Sequence, residues 1–283
     1  MAIIFGLLAS ITYGAADFLG GMVSRQNSAL TVVLISQLGG TLLLLAALPF
    51  FLDYPFRSAD LGWGAAAGVT GAAGVTLLYR GLAAGRMSVV APITGTVAAA
   101  IPVIVGLASG ERPSALQLSG VVAALVAVAL VSAGSSETPE LEPVTEPARS
   151  GVSEALGAGA CFGFFFVLLE YAGDGSGLWP LVGARASSLA SISIAALVVG
   201  STLRAAPGTR SGMIGAGVLD VTANLFYLLA TRRGLLAIAA TLTSMYPATT
   251  IVLARVVVKE RLHSLQLVGF VCAAVGVVLI TIG

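Results

Sequence analysis

Charge is what this chain has least of. Charged residues make up 10% of its 283 positions against 57% hydrophobic, and the mean hydropathy is +1.00, whereas a soluble domain charges about a quarter of its residues. That contrast excludes an ordinary water-soluble fold. The 14 basic and 13 acidic residues leave a net charge of +1, so the basic excess that grips nucleic acid is missing and no nucleic-acid partner is expected. Histidine occurs once, at His263. One ring at a span edge cannot by itself build a histidine-based metal site or a Ser/His/Asp triad, so hydrolytic chemistry recedes and no metal, cofactor or catalytic residue is expected. The cysteines, Cys161 and Cys272, both lie in apolar runs, where a lone thiol behaves as a small core residue; no disulfide is expected. Lysine also occurs once, at Lys259. Arginine in its place, with abundant Ala and Gly, points to a GC-rich bacterial genome and hence to the bacterial plasma (inner) membrane.

Long apolar runs are what the chain does have. They extend over about 20 residues each, the length a helix needs to cross hydrocarbon, and they lack the short apolar/polar alternation of membrane barrels. Reading runs against breaks predicts ten spans, near 3–22, 30–51, 61–79, 87–107, 115–133, 153–171, 179–200, 212–231, 235–256 and 264–282. The opening MAIIFGLLAS has no basic stretch and no cleavage pattern, so the first run is read as a retained span. Between the fifth and sixth runs, SSETPELEPVTEPARSG (135–151) carries four Glu, three Pro and one Arg. Such a segment buries too little apolar area to fold and reads as a linker.

The chain is also a duplication. ERPSALQLSG (111–120) returns as ERLHSLQLVG (260–269), and the same offset of 149 carries Gly14 to Gly163, Gly68 to Gly217, Gly85 to Gly234 and Gly134 to Gly283. Residues 1–134 and 152–283 are thus two copies of one unit. Five spans per copy is odd, so the second copy enters the bilayer upside down. The expected fold is an all-α integral membrane protein of ten transmembrane helices arranged as two inverted five-helix repeats, with a pseudo-two-fold axis in the membrane plane. Small residues such as Gly64, Gly68 and Gly71, or Gly14 and Gly21, lie at helix-packing distances.

This pattern of ten spans, the ER-x(4)-Gln-x(2)-Gly signature before the fifth and tenth, and prolines in the fourth (Pro92, Pro102) and ninth (Pro247) resembles the EamA family of the drug/metabolite transporter superfamily, over essentially the whole chain. The resemblance implies export or uptake of a small metabolite such as an amino acid, sugar or drug-like compound, with export the expected direction, through a cavity between the repeats and commonly driven by an ion gradient. It also implies cytoplasmic termini. The arginine and lysine count over the loops points the other way, to termini outside.

The residues that the duplication did not copy carry the functional signal. Asp17 maps to Phe166, Asp220 to Gly71, Asn224 to Val75 and Arg185 to Ser36, so a symmetric scaffold has gained an asymmetric polar interior. Ser10, Gly14, Asp17 and Gly21 share one face of the first span with Tyr13 a turn before the carboxylate; Gly217, Asp220, Asn224 and Tyr227 do the same in the eighth. A charge inside the bilayer costs about 2.5–3.5 kcal/mol even on the lenient insertion scale, so these side chains are paired, wet or functional. Arg185 is the natural partner for either carboxylate or for an anionic substrate group. The plainer alternative is an Asp–Arg pair that locks helices together. Tyr246, beside Pro247, is placed to stack on a substrate and gate it. For the recurring Glu111-Arg112 and Glu260-Arg261, duplication preserves scaffold as readily as function; they are read as helix-entry residues, with Ser114 and Gln117 forming a capping box.

The substrate or ion pathway is therefore assigned to Tyr13, Asp17, Arg185, Asp220, Asn224, Tyr227 and Tyr246, in a cavity lined by helices 1, 3, 4, 6, 8 and 9. Expected partners are a small-molecule substrate, the lipid bilayer and protons as a candidate coupling ion, with the chain as a monomer or homodimer. Proton coupling would require a carboxylate that takes up and releases a proton inside the cavity, and Asp17 and Asp220 are the buried candidates. Two other classes are weighed: an accessory membrane protein without transport, which the asymmetric polar stripes count against, and a lipid-acting membrane enzyme, for which no convincing nucleophile–base or metal set exists.

Overall fold

Apolar runs of this length satisfy their backbone polar groups only as helices when no water is at hand. The computed structural model describes residues 1–51, 54–84, 87–133, 151–173, 175–201, 203–258 and 264–283, and among them helix is the only regular structure. The first copy folds as α1 (Ala2–Ser24), α2 (Ala29–Ala47), α3 (Ser58–Ala84), α4 (Met87–Ala108) and α5 (Ala115–Ala133). The second folds as α6 (Val152–Glu170), α7 (Trp179–Val199), α8 (Arg210–Thr231), α9 (Leu236–Thr243), α10 (Tyr246–Leu253) and α11 (Ser264–Ile282). Among the described residues, seven helical stretches are long and apolar enough to cross a membrane, with α9 and α10 counted as one, and shorter apolar stretches run along α4, α5 and α11. Large apolar side chains such as Ile4, Ile11, Leu42, Ile104, Leu197 and Val271 point outward, a surface that suits lipid and not water. The linker expected at 135–151 lies, up to residue 150, outside the described residues, as do Glu260, Arg261 and His263.

Local chemistry starts the helices where the sequence breaks predicted. Ser28 caps α2, its Oγ accepting from the Thr31 amide at 3.2 Å. Ser114 and Gln117 form the expected reciprocal box at the head of α5: the Gln117 amide donates to Ser114 Oγ at 3.1 Å and the Ser114 amide to Gln117 Oε1 at 2.9 Å. Trp179 and Trp63 stand at helix starts among other rings, Trp179 against Phe56 at 5.0 Å and Trp63 against Tyr171 at 5.3 Å, as an interfacial aromatic belt would.

The ninth apolar run corrects the expectation of one continuous span. It is two short helices with a break at Ser244 and Met245, closed by a π-turn over Ala254–Val258. Pro247 has no amide to give to the Thr243 carbonyl and its ring crowds that carbonyl, so the helix stops and restarts with the proline in the first turn of α10. Helix α4, in contrast, runs unbroken through Pro92 and Pro102. The loosened backbone is partly re-satisfied by Thr250, whose hydroxyl donates to the Tyr246 carbonyl at 3.2 Å and the Gly14 carbonyl at 3.0 Å. The Thr243 and Ser244 hydroxyls are buried and have no partner among the described residues.

Helix pairing shows how the copies fit together. α1 packs on α8 as α6 packs on α3; α2 packs on α8 as α7 packs on α3; α4 lies on α6 as α9 and α10 lie on α1; α5 pairs with α11. Exchanging the copies leaves these pairings unchanged, which is two-fold pseudo-symmetry. The copied glycines make the closest contacts possible. A Cβ on Gly68 of α3 would lie 2.1 Å from the Ala184 carbonyl oxygen of α7, and one on its equivalent Gly217 of α8 would lie 1.7 Å from the Ser36 carbonyl oxygen of α2. Only a hydrogen fits at either crossing, the small-residue contact that brings helices together where lipid supplies no hydrophobic drive. Helix α5 joins α11 to α4 and α9, and Val121, Ala124, Leu242 and Ile280 share one buried apolar cluster.

Candidate functional site

Where the close-packed pairs leave room, a cavity opens between the copies. Its walls come from α1 (Tyr13, Asp17), α2 (Gln37), α3 (Gly68, Gly71, Val75), α6 (Phe162, Phe165, Phe166), α7 (Ala184, Arg185, Ser188), α8 (Asp220, Asn224) and α10 (Tyr246). Against the helix set expected from sequence, α2 and α7 take part, and no described side chain of α4 lines the cavity. The reason lies in the crossings: α7 and α2 meet α3 and α8 at Gly68 and Gly217 with no side chain between, which brings Arg185 and Gln37 inward, while α4 is covered by α6.

The cavity straddles the pseudo-axis, and its two halves are repeat equivalents of each other. Tyr13 and Asp17 of α1 face Phe162 and Phe166, their counterparts in α6; Asp220 and Asn224 of α8 face Gly71 and Val75, their counterparts in α3. One wall is polar and the other apolar, because the duplicated copies diverged at these four positions. The rings form a connected strip: Phe165 lies 5.7 Å from Phe166, Phe166 6.1 Å from Tyr13 and Tyr13 6.5 Å from Tyr246, all near edge-to-face.

A continuous polar chain crosses the other wall. The Arg185 guanidinium donates through one nitrogen to Gln37 Oε1 and through the other to Asp220 Oδ2, with which it forms the ion pair. Asn224 Nδ2 donates to the Asp220 carbonyl at 2.7 Å and to its Oδ2 at 3.2 Å, while Asn224 Oδ1 accepts from the Tyr13 hydroxyl at 2.8 Å. Side chains of α2, α7, α8 and α1 are tied together by this route. The Arg185 side chain is 8% exposed and that of Asp220 27%, so the guanidinium is the member with nowhere to go if the pair is broken.

Three polar groups on the cavity stand outside the chain. Asp17 has no hydrogen-bond or ion-pair partner among the described residues, and the Tyr246 hydroxyl and Ser188 hydroxyl, on residues 5% and 3% exposed, are buried without one. Buried polar atoms are ordinarily satisfied, so orphaned groups lining one cavity mark where another molecule would be held.

Of the residues singled out from sequence, Tyr13, Asp17, Arg185, Asp220, Asn224 and Tyr246 meet in this cavity. Tyr227 does not line it; fully buried behind the wall, it donates to the Phe166 carbonyl at 3.0 Å and lies 4.5 Å from the Phe166 ring. It positions Phe166. Gln37 and Ser188 complete the site, and the rule that found Asp17 applies to both: Gln37 maps to Ala186 and Ser188 to Gly39 across the duplication. Of the recurring Glu-Arg pairs, the described one serves as scaffold. Glu111 reaches across the repeats to the head of α9, where Oε1 accepts from the Leu236 amide at 2.6 Å and Oε2 from the Ala237 amide at 3.1 Å, capping a helix whose first amides have no partner of their own.

Comparison with known proteins bears on this geometry. The family model described as EamA-like transporter family matches the chain twice, over residues 1–133 and 149–282. No curated protein matches it. A crystal structure described only as that of a protein superposes with a TM-score of 0.74 over 99% of this chain and 96% of its own, at 13% identity; a likeness at that identity concerns the fold alone.

Proposed function

Because this chain belongs to the EamA-like transporter family and is a multi-pass membrane protein, we propose that it carries a small metabolite across the bacterial inner membrane by alternating access about the cavity between its two repeats. The observation that supports this best is the placement of the cavity on the pseudo-two-fold axis, bounded by equivalent helices of both copies. In this reading all ten runs are spans and the copies are inverted, so one packing of the pair opens the cavity to one face and its symmetry-related packing opens it to the other. The glycine crossings at Gly68 and Gly217 and the break between α9 and α10 are the places where helices slide or bend without losing side-chain contacts. Export is the proposed direction, protons are the coupling ion to test first, and the proposed carrier works without catalytic chemistry or a cofactor.

Accessibility tests this without knowledge of the substrate. On a background with Cys161 and Cys272 replaced by serine, Gln26→Cys and Tyr171→Cys, both at exposed positions between spans, report the two faces of the membrane and are expected to react with an impermeant thiol reagent from opposite sides. Ser188→Cys, inside the cavity, is expected to react from both sides. Reaction of the two reporters from one side ends the inverted-repeat reading. Reaction of Ser188→Cys from a single side ends alternating access.

A further inference from the structure

One ionisable group on the cavity is left out of the pairing. Arg185 is matched by Asp220, Gln37 and Asn224 are committed to that pair, and the Asp17 carboxyl group has no counter-ion among the described residues. Opposite it stand Phe162 and Phe166, the two rings that replace Tyr13 and Asp17 in the second copy, with Phe165 beside them and the Tyr246 ring closing the strip. An anionic substrate would find Arg185, the cation that the described residues place on the cavity, already paired, and would meet the Asp17 carboxyl group without compensation. A wholly polar one would have to desolvate against the phenyl wall. A cation with an apolar body meets neither obstacle: the carboxylate supplies the counter-charge, the ring faces supply cation–π attraction and apolar contact, and the Tyr246 and Ser188 hydroxyls remain for a polar substituent.

We infer that the cavity takes small organic cations carrying an aromatic or aliphatic body, with Asp17 as the anionic anchor and the phenylalanine wall as the seat of the body. This rests on the transport reading only in treating the cavity as the substrate site. Arg185 and Asp220 are assigned to holding the walls together, so the asymmetry introduced after duplication separates into a structural pair and a binding carboxylate.

The test uses the full-length protein in detergent and three probes of similar body and different charge: benzyltrimethylammonium, phenylacetate and 2-phenylethanol. Calorimetric titration is expected to show benzyltrimethylammonium binding at least about tenfold tighter than either other probe, which is the discrimination an unshared buried charge contributes. Asp17→Asn is expected to remove that preference and level the three affinities, while Asp17→Glu keeps the cation preferred. Because Asp17 holds no partner, Asp17→Asn is expected to stay monodisperse; should it not, Phe162→Leu, which thins the apolar wall and leaves the charge, is expected to weaken the benzyl cation at least about threefold relative to tetramethylammonium. Tighter binding of phenylacetate, a cation preference indifferent to Asp17, or no binding of any probe up to millimolar concentration overturns the assignment. Counterflow of the bound cation in proteoliposomes separates the two claims: binding without flux sinks transport and leaves the ligand class standing, and flux of an anion does the reverse.

Discussion

Breaking the Arg185–Asp220 pair from each side in turn should give unequal costs, because the partners are unequally buried. Asp220→Asn leaves a guanidinium 8% exposed whose other hydrogen-bond acceptor is the neutral Gln37 side chain. Removing one member of a buried ion pair typically costs about 3–5 kcal/mol, and this variant belongs in the upper half of that range. Arg185→Gln leaves a carboxylate that is 27% exposed to the cavity and still accepts from Asn224 Nδ2 at 3.2 Å, so water and one amide offset part of the loss and about 2–3 kcal/mol is expected. In the double variant no charge is stranded, and the two introduced amide side chains have donors and acceptors to share with each other and with Gln37. The total should fall to about 1–2 kcal/mol, a coupling of several kcal/mol between the sites. The assay is reversible unfolding of purified protein in mixed micelles by titration with a denaturing detergent, followed by loss of helicity. Two outcomes refute the reasoning. A coupling within about 0.5 kcal/mol of zero would mean that the pair is not formed in the membrane protein. A larger loss for Arg185→Gln than for Asp220→Asn would mean that the burial of the two partners is reversed.

Glu111→Ala is expected to lower stability by about 1–2 kcal/mol in the same assay, because two first-turn amides of α9 lose a charged acceptor; unchanged stability would show those amides satisfied elsewhere. Gly217→Ala should destabilise by at least about 3 kcal/mol, since a methyl group would lie 1.7 Å from the Ser36 carbonyl oxygen. Gly62→Ala, with nothing within 4 Å, is the control and should be neutral or slightly stabilising. If a proton drives the carrier, uptake into proteoliposomes responds to an imposed pH gradient and collapses with an uncoupler, and replacing the coupling Asp by Asn stops accumulation while sparing exchange of labelled for unlabelled substrate. Accumulation that ignores the gradient assigns coupling to another ion or to none.

Much of the architecture was settled by the sequence before any contact was known. Runs of about 20 apolar residues leave the backbone no choice but helix in a bilayer, and one offset of 149 makes the copies equivalent, so exchange-symmetric pairing follows. The same offset exposed the polar positions, since a charge retained in one copy and lost from the other has a reason to be there. Three things needed the tertiary structure. The break in the ninth run depends on whether neighbours shelter the backbone around a proline: α4 stays helical through Pro102 while the chain before Pro247 does not. The entry of α2 and α7 into the cavity depends on how closely the helices cross, which glycine spacing permits but does not position. The partner of Arg185 was undecided between two carboxylates equally plausible in sequence, and only their placement on different helices put Asp220 against the guanidinium and left Asp17 alone. Periodicity places a residue on a face of its own helix; which face of another helix it meets is set by interhelical packing, a property of all the spans together.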